Sequence, residues 1–287
     1  MAAEPAPSRI APLQPYARDV FSQNGEDGIL ERVFELLGVQ DGWCVEFGAW
    51  DGHHLSNTAN LIESRGWSAV LIEADPVKSE ALRRNMAGKP VTCIEEFVGF
   101  DPPNDLAGIL KRTAIPQDFE LLSIDIDGPD FHVWESLRGY EPKVVVIEIN
   151  PTAPNHVEFV QARDMSVRQG STLKAVTTLA RRKGYEPVAV TITNGIFVRS
   201  DLVDLIGVED RSLDALRPSR DDETYLIHLY DGTLLLGGRT IMPWHRIELR
   251  ERRMQVLPKA LRGYPPNAPL AVRLAQWCWH WLYRIRP

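Results

Sequence analysis

The chain predicts an α/β protein built on a doubly wound, mostly parallel sheet that closes with an antiparallel hairpin. Three observations carry this expectation. Short apolar runs alternate with amphipathic stretches along most of the first 200 residues, the pattern of strands joined by right-handed crossover helices. The run Val45-Glu46-Phe47 breaks directly into Gly48-Ala49-Trp50-Asp51-Gly52, and a second apolar run ends in Glu73, about 25 residues after the first of these glycines. That spacing fits a nucleotide-like cofactor lying across the first two strands: the glycines admit close backbone approach, and the acid accepts hydrogen bonds from ribose hydroxyls. Finally, Asn194-Gly195 between two strand-like runs is a two-residue hairpin signal.

The elements follow in order. Residues 1–20 read as a flexible lead-in. Ser22 or Asn24 caps a helix to about residue 37, with Ile29, Leu30, Val33 and Phe34 on one face and Gly38 as its stop. Residues 43–47 form the first strand, and Ser56 and Asn57 open a helix ending near Gly66. The second strand covers 69–73, and Pro76 begins a helix running toward Gly88, since proline suits a first turn. A third strand at 91–94 precedes a helix starting at Asn104. Residues 120–127 and 144–150 read as two further strands with a helix over 130–138 between them. Ser171 caps a helix ending at Gly184, and 188–193 with 196–199 form the closing hairpin. Residues 208–223 are charged and loop-like, and 225–236 form a hairpin outside the main sheet with Asp231-Gly232 as its turn. The expected organisation is therefore a lead-in at 1–20, an α/β domain at 21–207 and a C-terminal extension at 208–287.

Composition narrows the function. The chain has 287 residues and a net charge of −7, but every residue after Glu251 is neutral or basic and that tail carries +7. An acidic body of −14 argues against general nucleic-acid binding. No run of about 18 apolar residues predicts a spanning helix, and the first 15 residues lack the apolar run of a secretory signal. Cys44, Cys93 and Cys278 lack metal-binding spacing and read as thiols of a reducing compartment. The expected location is the cytoplasm, with peripheral association at the inner face of the membrane as an alternative.

At Glu46-x-Gly48-x-x-x-Gly52, Glu73 and the closing hairpin, the chain resembles S-adenosylmethionine-dependent methyltransferases, the FkbM-like group in particular. Ser22-Gln23-Asn24-Gly25-Glu26-Asp27 and Ser56-Asn57-Thr58 are similar to segments of FkbM-like proteins. The likeness covers roughly residues 20–200. It implies a class I methyltransferase-like fold, in which the antiparallel closing hairpin departs from an ordinary dinucleotide-binding sheet. It also implies S-adenosyl-L-methionine as cofactor, with Glu46, Gly48, Trp50, Gly52, Glu73 and Asp125 in its site. The sequence departs from the pattern at Trp50, where many methyltransferases carry a middle glycine.

A cluster of acids carries the remaining chemistry. Leu121-Leu122-Ser123-Ile124 leads into Asp125-Ile126-Asp127, and Val144-Val145-Val146-Ile147 leads into Glu148-Ile149-Asn150. Residues two apart on a strand share a face, so Asp125 with Asp127 and Glu148 with Asn150 are expected at the carboxyl rim, where α/β ligands bind. Carboxylates there need an offset. A divalent cation such as magnesium held by Asp125, Asp127, Glu148 and Asn150 is one; a shared proton or hydrogen bonds to ligand hydroxyls are others. Asp127 and His132, which follows on the next helix, are the candidate catalytic bases. His53, His54 and His156 are further candidates near the rim.

A carboxylate-rich rim suits a hydroxylated acceptor, which favours O-methylation of a glycan or other hydroxylated metabolite. Competing readings are a non-catalytic methyltransferase-like binding or assembly module and, with less support, an NAD-linked oxidoreductase or a hydrolase. In the tail, Leu270, Leu274, Trp277, Trp281 and Ile285 fall at helical spacing among arginines. Such a basic, Trp-rich amphipathic helix suits packing on the domain, a homodimer contact, or the membrane surface.

Overall fold

The computed structural model describes residues 11–285, with side chains to residue 282. It divides into two compact units, the first ending at Ser219 and the second beginning at Arg220.

In the first unit the elements run α1 (Glu26–Leu36), β1 (Trp43–Phe47), α2 (Ala59–Arg65), β2 (Ser68–Glu73), α3 (Pro76–Asn85), β3 (Val91–Glu95), α4 (Leu106–Leu110), β4 (Leu121–Ile124), α5 (Asp130–Ser136), β5 (Val144–Glu148), α6 (Leu173–Arg182), β6 (Tyr185–Val190), β7 (Asn194–Arg199) and α7 (Leu213–Leu216). The seven strands form one sheet in the order β3-β2-β1-β4-β5-β7-β6. β1 to β5 pair in parallel, and β7 runs antiparallel to both β5 and β6. This is the class I methyltransferase fold that the sequence predicts.

Local chemistry explains the elements. β1, β2, β4 and β5 are almost continuously apolar and buried, as strands covered by helices on both faces must be. Asp75 caps α3 by accepting from the N–H groups of Val77 (2.8 Å) and Lys78 (3.1 Å), with Pro76 at the first helical position. Gly66 ends α2 in the left-handed conformation at φ 67°. β6 is an edge strand, and it tolerates Pro187 with a register shift between Pro187 and Ala189.

Several boundaries differ from expectation. α1 starts after Gly25, which holds φ 91°; Ser22 serves instead by accepting from the Asp27 N–H at 3.1 Å. α2 starts at Ala59 behind Thr58 and α6 behind Thr172, each one or two residues later than read. Asp105, not Asn104, caps α4. Asn194-Gly195 is not the hairpin turn: the two residues open β7 and pair with Glu148 and Ile147, and the turn spans 191–193. A Cβ on Gly195 would stand 2.7 Å from the Phe197 ring, so packing selects this glycine. β4 stops at Ile124 and β5 at Glu148, short of Asp127 and Asn150.

Of the expected lead-in, residues 1–10 lie outside the described residues. Ala11 and Leu13 are buried, and Gln14–Tyr16 forms a 3-10 turn. Residues 208–219 belong to the first unit, where Asn155 donates to the carbonyl oxygens of Leu213 and Arg217 at 3.2 Å each.

The second unit contains the antiparallel pair β8 (Thr224–His228) and β9 (Leu234–Gly238), turning at Asp231-Gly232 as expected, then β10 (Ile241–Met242), β11 (Ile247–Glu248), α8 (Glu251–Met254) and α9 (Leu270–Ile285). Among the described residues, no helix is long and apolar enough to cross a membrane.

Trp134 joins α5 to the closing hairpin: it is fully buried, with ring centroids 5.6 Å from both Tyr185 and Phe197. Replacing Trp134 with Ala is expected to cost about 3–5 kcal/mol of stability in urea unfolding. A loss below about 1 kcal/mol would show that the hairpin does not depend on this contact.

Candidate active site

The glycine loop leaves β1 at the carboxyl rim. Gly48 holds φ 73°, and a Cβ there would stand 2.2 Å from the Asp125 carbonyl oxygen. Gly52 holds φ 82°, and a Cβ there would meet Met86 Cε at 2.5 Å and Leu82 Cδ1 at 2.8 Å. Gly48 is therefore required by its positive φ and a backbone approach, and Gly52 by its positive φ, before any ligand is considered. Between them Trp50 takes φ 48°, unusual for a bulky residue, and its N–H donates to Glu73 Oε2 at 2.8 Å. The N–H of Asp75 donates to Glu73 Oε1, also at 2.8 Å. Glu73 is thus nearly buried at the end of β2 with each oxygen oriented by one backbone donor.

The Trp50 indole turns toward α3. The Lys78 ammonium lies 3.5 Å from its ring centroid, the His54 ring lies 5.0 Å away, and the side chain is 45% exposed. His53 stacks on Phe21 and lies 2.7 Å from Glu63.

Glu46 is buried beneath this loop. Its carboxylate accepts from Ser56 Oγ at 2.5 Å, Thr58 Oγ1 at 2.7 Å and the Asn57 N–H at 2.9 Å. Asn57 in turn donates to Ser123 on β4 at 3.1 Å. Burial pushes the Glu46 carboxyl up, and these hydrogen bonds pull it back. Glu46 thereby anchors the segment that opens α2.

Three of the four rim acceptors converge. One carboxylate oxygen from each of Asp125, Asp127 and Glu148 lies within 4.8 Å of the others. Strand alternation is not the cause. Beyond Ile124 the chain makes a turn in which Asp127 takes φ 58° and Gly128 takes φ 144°. Asp130 closes that turn by accepting from Ile126 N–H at 2.9 Å and Gly128 N–H at 2.8 Å. The Asn150 side chain is engaged in the loop after β5: its Oδ1 accepts from Thr152 N–H (3.0 Å) and Oγ1 (2.8 Å), and its amide donates to the Gln169 carbonyl at 3.0 Å.

Clustering perturbs the acids. Burial and then the neighbouring charges of Asp130 and Asp127 push Asp125 up to about 8. Burial and then Asp125 push Glu148 up to about 10. Asp130 rises to about 6 through burial, against the backbone hydrogen bonds of its turn. Such a site holds protons at neutral pH or holds a cation in their place.

His132 is buried and set apart from this cluster's oxygen set. Its Nε2 lies 2.8 Å from the Gln161 carbonyl oxygen, to which it donates, and its Nδ1 lies 3.5 Å from Glu135. Gln161 is central to the 151–170 loop: its Oε1 accepts from Gln169 and Gly170, and its Nε2 donates to Val167. His156 is exposed in the same loop.

Sequence reasoning missed Asp130, Gln161 and Glu26. Glu26 is fully buried, accepts from Thr191 Oγ1 (2.6 Å) and Asn194 Nδ2 (2.9 Å), and adds its charge to the field on Asp125. A spacing of Asp125, Asp127 and Asp130 around Gly128 was the available sign for Asp130, because an acid two residues past a glycine turn can accept its N–H groups. Nothing local marks Gln161.

No family model matches the chain, and no curated protein matches it. Among solved structures, it is similar to a putative sarcosine dimethylglycine methyltransferase from Galdieria sulphuraria, at 16% identity and TM-score 0.36, covering 55% of this chain and 60% of that one. An O-methyltransferase family protein from Burkholderia thailandensis is 13% identical with TM-score 0.40, covering 60% of this chain and 55% of the other. A putative O-methyltransferase from Klebsiella pneumoniae is 14% identical with TM-score 0.40, at 64% and 83% coverage. The chain thus spans somewhat over half the length of the first two.

Two outcomes test this geometry. Gly48→Ala is expected to lower stability by more than about 2 kcal/mol, since it combines a positive φ with a backbone clash; unchanged urea unfolding would disprove the close approach. The folded, cation-free protein also keeps protons on Asp125 and Glu148 that the unfolded chain releases near about pH 4. The folded state binds more protons through the window up to about 8 for Asp125 and about 10 for Glu148, so stability falls as pH rises across it. Melting temperature after chelation is expected to decline from about pH 6 to about pH 9, and Asp125→Asn to flatten the decline. A rise over the same range would contradict the raised carboxyls.

Proposed function

We propose that this protein is an S-adenosylmethionine-dependent methyltransferase of the FkbM-like type that methylates a hydroxyl of a glycan or another hydroxylated metabolite. The observation that carries the reading is Glu73. Each of its oxygens has one backbone donor and keeps acceptor capacity, beside a glycine loop at the carboxyl rim. Ribose hydroxyls suit that acceptor pair. When bound, S-adenosylmethionine supplies a methyl group activated by its sulfonium. Glu73 binds the ribose, and the Gly48–Gly52 backbone lies along the cofactor. Trp50 acts through its N–H by orienting Glu73, and Glu46 acts by holding residues 56–58 in place.

The acceptor hydroxyl is assigned to the acid cluster. Asp127 is its exposed member and takes the hydroxyl proton on a carboxylate oxygen. Asp125, also assigned to the cofactor side, and Glu148 bind acceptor hydroxyls. His132, tethered to Gln161, is a positioning residue for the loop after β5.

Asp125, Asp127 and Glu148 also fit a hard divalent cation such as magnesium, because three converging carboxylate oxygens are the donors that such an ion takes. A cation would displace the protons that Asp125 and Glu148 otherwise hold, and its charge would help to deprotonate the acceptor. Trp50 in place of a middle glycine favours a second reading, a non-catalytic methyltransferase-like binding module.

Calorimetric titration of chelator-treated protein with S-adenosylhomocysteine, with and without magnesium, separates these readings. Micromolar binding is expected, with Glu73→Ala weakening it about tenfold or more. Binding untouched by Glu73→Ala would refute the ribose assignment, and no binding by the folded protein would favour the non-catalytic module. Magnesium is expected to raise the melting temperature of the chelated protein, and Asp127→Asn to remove that rise. No effect of either change would leave the acids with hydrogen bonding and base chemistry alone.

A further inference from the structure

The second unit carries a feature that the acid site does not use. α9 presents two different faces. Val272, Ala275, Gln276 and Trp279 are partly buried, and Gln276 pins that face by donating to the carbonyl oxygens of Leu261 at 2.8 Å and Gly263 at 3.1 Å. The opposite face bears Leu270, Leu274, Trp277 and Trp281, exposed by 68%, 57%, 61% and 47%. These positions form one stripe over about three helical turns. The two indoles are neighbours, with centroids 6.0 Å apart. A stripe of two leucines and two tryptophans left in water is unfavourable, and contiguous exposed apolar surface of this kind marks an interaction site.

Charge selects the occupant. From Arg252 onward the sequence contains seven Lys and Arg residues and no Asp or Glu. Arg273, exposed, flanks the stripe, and Arg284 follows one turn beyond Trp281 in sequence. A second copy docking by two-fold symmetry would bring this positive segment against itself, where like charges repel. An anionic lipid surface offers the opposite charge above an apolar layer, with a headgroup zone in which indole rings are favoured. Among the described residues α9 has 16 residues and is not long and apolar enough to cross a membrane, which suits lying in that interface.

We propose that the Leu270-Leu274-Trp277-Trp281 face of α9 is a peripheral membrane anchor for anionic lipid surfaces. The apolar stripe enters the acyl boundary, and the basic residues of the 252–287 segment meet the headgroups. Anchoring of this type is reversible and weakens with salt.

The test is co-sedimentation of the full chain with sucrose-loaded vesicles of phosphatidylcholine alone or with about 30% phosphatidylglycerol. Partition to the anionic vesicles is expected to exceed that to the neutral ones about tenfold or more and to fall with added salt. The paired change Trp277→Ser and Trp281→Ser is expected to lower it about tenfold or more, with the circular dichroism spectrum retained. Arg273→Gln, which leaves the apolar stripe intact, is expected to lower it about fivefold. Wild-type protein remaining in the supernatant with both vesicle types would overturn the proposal. So would equal sedimentation of wild type and both variants. A dimer in sedimentation equilibrium that the Trp changes dissociate, without vesicle binding, would assign the stripe to a second copy and overturn it as well.

Discussion

The rim of the sheet depends on a single buried carboxylate. Glu46 sits at the end of β1, where the parallel strands are otherwise apolar, and a bare charge there would be costly. Its cost is offset by three hydrogen bonds from three consecutive residues, Ser56, Asn57 and Thr58. That arrangement fixes the start of α2, and through Asn57 it reaches Ser123 in β4. The glycine loop bridges β1 and this anchored segment, so its path has little freedom. Its first residue, Gly48, closes on the Asp125 carbonyl just beyond β4, and its middle meets β2 through the bond from Trp50 to Glu73. One buried acid side chain therefore ties together three adjacent strands at the edge where α/β proteins bind their ligands.

The order of strands and helices was legible because parallel strands buried on both faces leave unbroken apolar runs, such as Val144-Val145-Val146-Ile147, and helices leave start signals such as Pro76 at a first turn. The hairpin was legible in kind and misplaced in detail. Asn194-Gly195 looks like a turn, yet its glycine answers to the Phe197 ring and its asparagine to Glu26. Tertiary demands override a local turn preference there, and a pattern confined to neighbouring residues does not register them.

The candidate site shows the same division. Asp125, Asp127 and Glu148 were readable as acids ending apolar strands. The reason for their convergence was not, because it rests on a left-handed turn at Asp127 and Gly128 held by Asp130. Asn150 has the right spacing from Glu148 and the wrong partners, since strand pairing stops before it. His132 is on the expected helix, but Gln161, a distant residue, decides what its ring does. Glu26 contributes to the field at Asp125 from a segment about 100 residues earlier in the chain, beyond any periodicity argument.

The edge strand β6 has a consequence for solubility. A seven-stranded sheet must end somewhere, and an exposed strand edge is a template for another chain to extend. Here the last strand carries Pro187, which has no N–H to offer, and its register shifts between Pro187 and Ala189. An incoming strand meets an interrupted ladder, so the sheet is protected against growth into a filament along this side.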